Sequence, residues 1–124
     1  MKKIFIVDDN DANLLIAKNT LDGIYETYAM PSAGRMFKML EKITPDLILL
    51  DVDMPEMDGF EALQALKSTE RLKSIPVAFL TGTHDTELEK RGTEMGALDF
   101  FIKPFSAPEL IKKIEAYTEE KEIP

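Results

Sequence analysis

Asp46-Leu47-Ile48-Leu49-Leu50-Asp51 is a run of four apolar residues with an aspartate at each end. Such a run, bounded by turn-forming residues, is typical of a strand that is buried on both faces of a parallel sheet. Asp51 would then lie at the carboxyl end of the strand, where open α/β sheets bind their ligands. The stretch Lys3-Ile4-Phe5-Ile6-Val7 has the same pattern and is followed by Asp8 and Asp9. Two strands that bring carboxylates to one edge of a sheet predict a metal or phosphoryl site.

The rest of the chain continues an alternation of strands and helices. Apolar or aromatic stretches predict three more strands, at residues 24–30, 77–80 and 100–102. Apolar residues at helical spacing predict five helices, at residues 13–21, 32–43, 60–66, 86–95 and 106–117. Because the connections are short, we expect a parallel sheet of five strands with helices on both faces. Ser32 is expected to cap the second helix.

The composition excludes several classes of function. The chain has 124 residues and a net charge of −8, so it forms one domain for which nucleic acid and anionic membranes are poor partners. It contains no cysteine, which excludes disulfides, thiolate chemistry and cysteine-bound metal clusters. No apolar stretch approaches the roughly 18 residues that span a bilayer, and the first residues lack the pattern of a signal peptide. We therefore expect a cytoplasmic protein.

Chemically active side chains collect at the ends of the predicted strands. Asp8 and Asp9 follow the first strand, Asp51 the third, Thr81 the fourth and Lys103 the fifth. Since the carboxyl ends of parallel strands meet at one edge of the sheet, these side chains are expected to lie close together.

Four motifs occur in order around these residues, and together they are specific. They are Val7-Asp8-Asp9, Leu49-Leu50-Asp51 with Met54-Pro55 and Asp58-Gly59, Leu80-Thr81-Gly82, and Lys103-Pro104-Phe105. Over essentially its whole length, 1–124, the chain resembles a receiver domain of two-component response regulators, of the kind found in chemotaxis regulators. The resemblance implies a flavodoxin-like (βα)5 three-layer sandwich with strand order 2-1-3-4-5. It leaves 118–124 as a polar tail or the start of a linker.

The resemblance also implies a role for each site residue. Asp51 would accept a phosphoryl group as an acyl phosphate. Magnesium would be held by Asp8 (through water), Asp9, Asp51 and the backbone carbonyl of Asp53. Lys103 would pair with Asp51 at rest and with a phosphate oxygen afterwards. Thr81 would donate its hydroxyl to another phosphate oxygen and pull the following loop inward.

The function implied is that of a signalling switch and not of an enzyme beyond phosphoryl acceptance and slow self-dephosphorylation. A sensor histidine kinase or histidine phosphotransfer protein would donate the phosphoryl group. The altered surface would comprise residues 86–95, the fifth strand and residues 106–117, and residues 86–95 have so few apolar side chains that they are expected to shift readily. A downstream protein or a C-terminal output domain would bind this surface, and dimerisation on phosphorylation stays open.

Each residue also has a simpler interpretation. Asp8 to Asp11 form a possible capping cluster, since Asp and Asn favour that position. Thr81 beside Gly82 is by itself a turn residue, and Lys103 by itself is a solvated surface lysine. His84, which has no second histidine to share a metal with, is expected to be exposed in a loop.

Specific expectations apply to three residues and to one peptide bond. Asp53 adds a carboxylate that should strengthen cation binding, repel phosphate and alter the lifetime of the phosphorylated state. Gly82 leaves room beside the phosphate. Phe100 matches the switch aromatic of the family, but without a hydroxyl it has little reason to turn outward. The resemblance predicts a cis peptide bond between Lys103 and Pro104.

Two other functions use similar motifs. Asp51-Val52-Asp53 after an apolar strand also resembles the nucleophile motif of haloacid-dehalogenase-type phosphatases. Those enzymes, however, place their acidic metal pair late in the chain and need more than 124 residues. A flavodoxin-type electron carrier would need a glycine- and hydroxyl-rich phosphate loop after the first strand, where this chain is acidic.

Overall fold

The computed structural model describes residues 1–104 and 106–118, so Phe105 and residues 119–124 of the polar tail lie outside the described residues. Within these ranges five strands alternate with five helices. The strands are β1 (Lys3–Val7), β2 (Glu26–Met30), β3 (Leu47–Asp51), β4 (Val77–Thr81) and β5 (Asp99–Ile102). The helices are α1 (Asp11–Leu21), α2 (Ala33–Leu40), α3 (Gly59–Lys67), α4 (Thr86–Glu94) and α5 (Ala107–Thr118). None of these helices is long and apolar enough to pass through a membrane.

The strands form one sheet in the order β2-β1-β3-β4-β5, and every neighbouring pair is parallel. The predicted flavodoxin-like order 2-1-3-4-5 is therefore confirmed. Because all strands run the same way, their carboxyl ends lie at a single edge of the sheet. The three central strands β1, β3 and β4 bring Asp8, Asp51 and Thr81 to that edge.

Successive residues of the buried strands serve two separate cores. Phe5, Ile48 and Phe79 belong to one apolar cluster, which also contains residues of α2 and α3. Their neighbours Ile4 and Leu49 belong to a second cluster, which contains residues of α1 and α5. The alternation follows from the twofold repeat of a strand, and it requires helices on both faces. The predicted three-layer arrangement is confirmed.

Local hydrogen bonds explain where the elements begin. Helix α1 starts two residues earlier than predicted, because the side chain of Asn10 accepts the backbone N–H of Asn13 at 3.0 Å. Ser32 caps α2 as predicted, accepting the N–H of Arg35 at 3.2 Å. Asp58 and Glu61 form a reciprocal capping box at the start of α3.

Several other predicted boundaries were also wrong, by one to three residues. Strand β2 begins at Glu26 and not at residue 24, because the N–H groups of Ile24 and Tyr25 donate to the Leu21 carbonyl and form a turn. Helix α2 ends at Leu40 and does not extend to residue 43, since the chain turns immediately after it. Strand β5 begins one residue early, at Asp99.

Helix α4 is the least apolar of the helices described. Gly92 is its one buried residue, and Leu88 is half-buried against the first core. A β-carbon at Gly92 would lie 2.5 Å from Cζ of Phe100, so the glycine lets the helix approach this ring. The sparse apolar surface agrees with the expectation that this segment is weakly held.

The start of α3 passes unusually close to the end of β3. A β-carbon on Gly59 would lie 2.5 Å from the carbonyl oxygen of Asp51 and 2.8 Å from Cα of Val52. The Gly59 N–H donates to the Val52 carbonyl at 2.8 Å, which holds the two segments together. Only glycine fits between them without moving the backbone of Asp51.

We predict that Gly59→Ala lowers the free energy of unfolding by about 1–3 kcal/mol, because the added methyl group meets backbone atoms that cannot rotate away. Gly34→Ala is the control, since the nearest atom to its β-carbon is Oγ of Ser32 at 3.9 Å. The control should be neutral or stabilising by up to about 1 kcal/mol, as expected inside a helix. Urea denaturation measures both, and equal stabilities of Gly59→Ala and wild type would contradict the close approach.

Candidate functional site

An acidic cluster occupies the carboxyl edge of the sheet. One carboxylate oxygen from each of Asp8, Asp9 and Asp51 lies within 4.8 Å of the other two. Asp8 and Asp51 are buried, with exposed fractions of 1% and 4%, while Asp9 is exposed. Strands β1 and β3 are neighbours in the sheet, which places their terminal residues side by side. The structure therefore brings together the three carboxylates that the sequence selected.

Lys103 reaches this cluster from the end of β5. Its Nζ lies 3.1 Å from Oδ2 of Asp8 and 3.5 Å from Oδ1 of Asp51, and its side chain is only 18% exposed. The surface-lysine interpretation was wrong. The expected contact with Asp51 is present, but the shorter contact is with Asp8. The peptide bond between Lys103 and Pro104 is cis, as predicted.

Backbone donors also stabilise the buried carboxylates. The N–H of Asn10 donates to Oδ1 of Asp8 at 2.9 Å, and the N–H of Asp53 donates to Oδ1 of Asp51 at 3.3 Å. Hydrogen bonds to a charged group are stronger than those between neutral groups, so these two N–H groups offset part of the cost of burial. Asn10 thus has a structural role in the cluster as well as at the start of α1, a combination that the sequence did not indicate.

The environment raises the pKa of Asp51 to about 7. Burial is the largest cause, because it disfavours the charged form, and the negative charge of Asp8 raises the pKa further. The ammonium group of Lys103 and the backbone N–H of Asp53 lower the pKa but do not cancel these effects. The pocket thus contains more carboxylate than its own cation balances, and a bound divalent cation would relieve the repulsion.

Thr81 is buried at the end of β4, with an exposed fraction of 3%. Its hydroxyl lies 3.2 Å from the carbonyl oxygen of Thr83 and 3.3 Å from the backbone nitrogen of the same residue. In this structure Thr81 therefore makes the contacts expected of a turn residue. A β-carbon on Gly82 would have no atom within 4 Å, which agrees with the expected space after Thr81.

Phe100 lies in a row of three aromatic rings. Its centroid is 5.2 Å from that of Phe79, which in turn is 5.1 Å from that of Phe60. Phe100 is only 8% exposed, so its ring points inward, as a ring without a hydroxyl should. The guanidinium of Arg91 lies 4.2 Å from the Phe60 centroid and connects α4 to the far end of the row.

An open cavity of about 400 Å³ lies beside the acidic cluster. It is lined by Asp9, Asp53, Met54, Pro55 and Asp58. Asp58 is the N-cap of α3, which places it at this wall. In the sequence, its position before Gly59 and an apolar run indicated a helix cap but not a place in the cavity.

His84 is 69% exposed in a loop, as predicted, with Nε2 3.7 Å from a carboxylate oxygen of Glu89.

Comparison with known proteins agrees with this geometry. The family model described as "Response regulator receiver domain" matches residues 4–115. The chain belongs to this family. Among curated relatives of this receiver domain, the polar-differentiation response regulator DivK of Brucella ovis is 32% identical over 94% of this chain and 95% of its own. Among solved structures, the chemotaxis protein CheY4 of Vibrio cholerae is 30% identical, with a TM-score of 0.89 over 94% of this chain and 98% of its own.

A third relative is much longer than this receiver domain. A probable cyclic di-GMP phosphodiesterase of Vibrio cholerae is 36% identical over 95% of this chain, but the chain spans only 27% of that protein. Taken together, the matches show a phosphoryl-accepting signalling domain of two-component systems. Such a domain interacts with histidine kinases or phosphotransfer proteins and with downstream targets. The matches do not support the alternative of a haloacid-dehalogenase-type phosphatase.

We predict that Asp51→Asn raises the free energy of unfolding of the metal-free protein at pH 8 by about 1–3 kcal/mol. The folded-state pKa of Asp51, about 7, is above its unfolded value of 3.8. Its contribution to stability is therefore complete below pH 3.8 and is lost as the pH rises through about 7.

Urea denaturation at several pH values, with a chelator present, tests this prediction. The advantage of Asp51→Asn should shrink towards pH 4, and saturating Mg²⁺ should reduce it at pH 8. Glu115→Gln removes an exposed carboxylate of α5 and should change stability little. An asparagine variant less stable than wild type at pH 8 would contradict the repulsion.

Proposed function

We propose that Asp51 is the phosphoryl acceptor of this receiver domain, with a histidine kinase or histidine phosphotransfer protein as the donor. The observation that carries the proposal is the convergence of Asp8, Asp9 and Asp51, with the amine of Lys103 in contact with two of them. Asp51 is the member that ends a central strand and borders the loop that lines the open cavity. A carboxylate oxygen in this position can act as the nucleophile.

In the proposed reaction, an Oδ of Asp51 attacks the phosphorus of a phosphohistidine. The new O–P bond forms as the P–N bond breaks, and the imidazole leaves with the electron pair and takes up a proton. Lys103 shifts from its contacts with Asp8 and Asp51 towards an oxygen of the transferred group, since a flexible ammonium can exchange anionic partners. Water later attacks the phosphorus, the O–P bond to Asp51 breaks, and inorganic phosphate is released with the carboxylate regenerated. The domain therefore carries one phosphoryl group at a time.

The donor atoms fit a magnesium ion. All three clustered side chains offer carboxylate oxygens, the hard ligands that Mg²⁺ prefers, and they lie within 4.8 Å of one another. We assign Asp9 and Asp51 as direct ligands, Asp8 as a ligand through water and the backbone carbonyl of Asp53 as the fourth contribution. When bound, the cation offsets the negative charge of the carboxylates and of the phosphoryl oxygens.

We propose that Thr81 and Phe100 form the switch. The Thr81 hydroxyl now contacts the backbone of Thr83, and in the phosphorylated domain it donates to a phosphoryl oxygen. That exchange draws the loop between β4 and α4 towards Asp51. Helix α4 can follow because Gly92 is its one buried residue among those described. The readout surface is the one formed by α4, β5 and α5.

We propose a cytoplasmic interaction module that spans residues 1–124. Thr118 is the buried last residue of α5, so the proposed polar tail or start of a linker comprises residues 119–124 and not 118–124. Its readout is a downstream protein or a C-terminal output domain. The 32% identity with DivK over 95% of that regulator supports binding to a separate downstream protein. The much longer phosphodiesterase relative supports a covalently linked output domain.

Incubation with Mg²⁺ and a small phosphodonor should add one phosphoryl group to the intact mass, and peptide mapping should place it on Asp51. Asp51→Asn and addition of a chelator should each abolish the gain, and Lys103→Met should slow it at least about tenfold. Glu115→Gln should be labelled like wild type. Label on another residue, or consumption of the donor that Asp51→Asn does not abolish, would sink the assignment.

Asp53→Asn should lengthen the lifetime of the phosphorylated state by about two- to tenfold. The Asp53 carboxylate lines the open cavity, where it can orient an attacking water and accept its proton. The substitution removes that base but retains the backbone carbonyl, and it should weaken Mg²⁺ binding only modestly. Dephosphorylation is measured after removal of the donor, and a rate equal to that of wild type would exclude this role.

A further inference from the structure

We propose that a groove between α2 and the end of β2 is a docking surface for an acidic segment of a partner protein. The groove has a volume of about 260 Å³. We name it the α2 groove and define it by Met30, Pro31, Arg35, Lys38, Met39 and Lys42. The proposal goes beyond phosphoryl acceptance, because none of these residues belongs to the acidic cluster.

Three cations lie along one side of the α2 groove. Arg35 and Lys38 are three positions apart on one face of α2, and Lys42 follows four positions later, in the turn after the helix. All three line the groove. All three side chains are exposed, and within the described ranges none of them forms an ion pair. By contrast, Lys18 pairs with Asp22 on the surface. The groove lining described here contains no carboxylate.

The charge of the whole chain makes this cluster selective. With a net charge of −8, most of the surface repels an anionic partner. A patch of three positive charges on such a surface concentrates the attraction at one place and also orients the partner. Charge complementarity therefore favours an acidic occupant over a second, equally acidic copy of this chain.

The floor of the α2 groove is apolar and adaptable. Met30 is buried, Met39 is half-buried, and exposed Pro31 forms part of the wall. Methionine side chains adjust to different apolar partners because they are unbranched and polarizable. The ligand that fits is a peptide segment in which carboxylates flank an apolar side chain.

The groove lies at the opposite edge of the sheet from the proposed readout surface. Strand β2 is one edge strand, and β5 is the other. The carbonyl of Met30 accepts the N–H of Asp8 at 3.1 Å, so the floor of the groove connects directly to the acidic cluster. A partner in the α2 groove thus leaves α4, β5 and α5 free for a second protein.

The test is fluorescence anisotropy with a labelled short peptide in which glutamates flank a central leucine. A second peptide has glutamine in place of every glutamate. Arg35→Glu/Lys38→Glu is the test variant of the full chain. Lys90→Glu/Lys112→Glu is the matched control, because both lysines are exposed on other helices and the net charge changes equally. Circular dichroism confirms that both variants are folded.

We expect the acidic peptide to bind wild type, with an affinity that falls as salt increases, and the test variant to bind it at least about tenfold more weakly. The control should stay within about twofold of wild type, and the glutamine peptide should not bind. Absence of binding to wild type, equal losses in both variants, or binding of the glutamine peptide would overturn the proposal. So would stronger binding of anionic lipid vesicles through the same two residues. Since Asp51→Asn should still bind the peptide, failure here is distinguishable from failure of phosphoryl acceptance.

Discussion

Two nearly buried carboxylates side by side, Asp8 and Asp51, are the constraint on which the rest of this structure depends. Their pairing removes both carboxylates from water and places two negative charges side by side. Both effects raise the pKa of Asp51. Lys103 contacts both, and two backbone N–H groups supply further compensation. The arrangement persists because the surrounding sheet leaves these residues no other position, which is how functional sites retain unfavourable groups.

The sheet provides that rigidity through strands that are apolar on both faces. Strands β3 and β4 are buried at every position, so a shift of either would expose apolar side chains. At their ends the chain has to turn sharply, and Gly59 allows α3 to begin against the carbonyl of Asp51. Stability from the core thus holds a pocket that is itself destabilising until a cation binds.

The two edges of the sheet differ in how firmly their helices are held. Near β5, α4 contacts the core mainly through Gly92 and the row of aromatic rings, so little apolar contact resists its displacement. Near β2, α2 buries Met36 and Leu40 and presents its cations outward. The proposed readout surface of α4, β5 and α5 and the proposed docking surface at the α2 groove lie at opposite edges of the sheet, so two partners could bind at once.

The sequence by itself determined the strands, the helices and the acidic ends of β1 and β3, because apolar periodicity reports which residues avoid water. Resemblance to a family supplied the strand order and the cis bond at Pro104, which periodicity does not contain. Only the tertiary structure showed that Lys103 lies closer to Asp8 than to Asp51, that Gly59 touches the backbone of Asp51, and that the cations of α2 border a groove. These facts depend on distances between residues far apart in the chain, and such distances are set by packing.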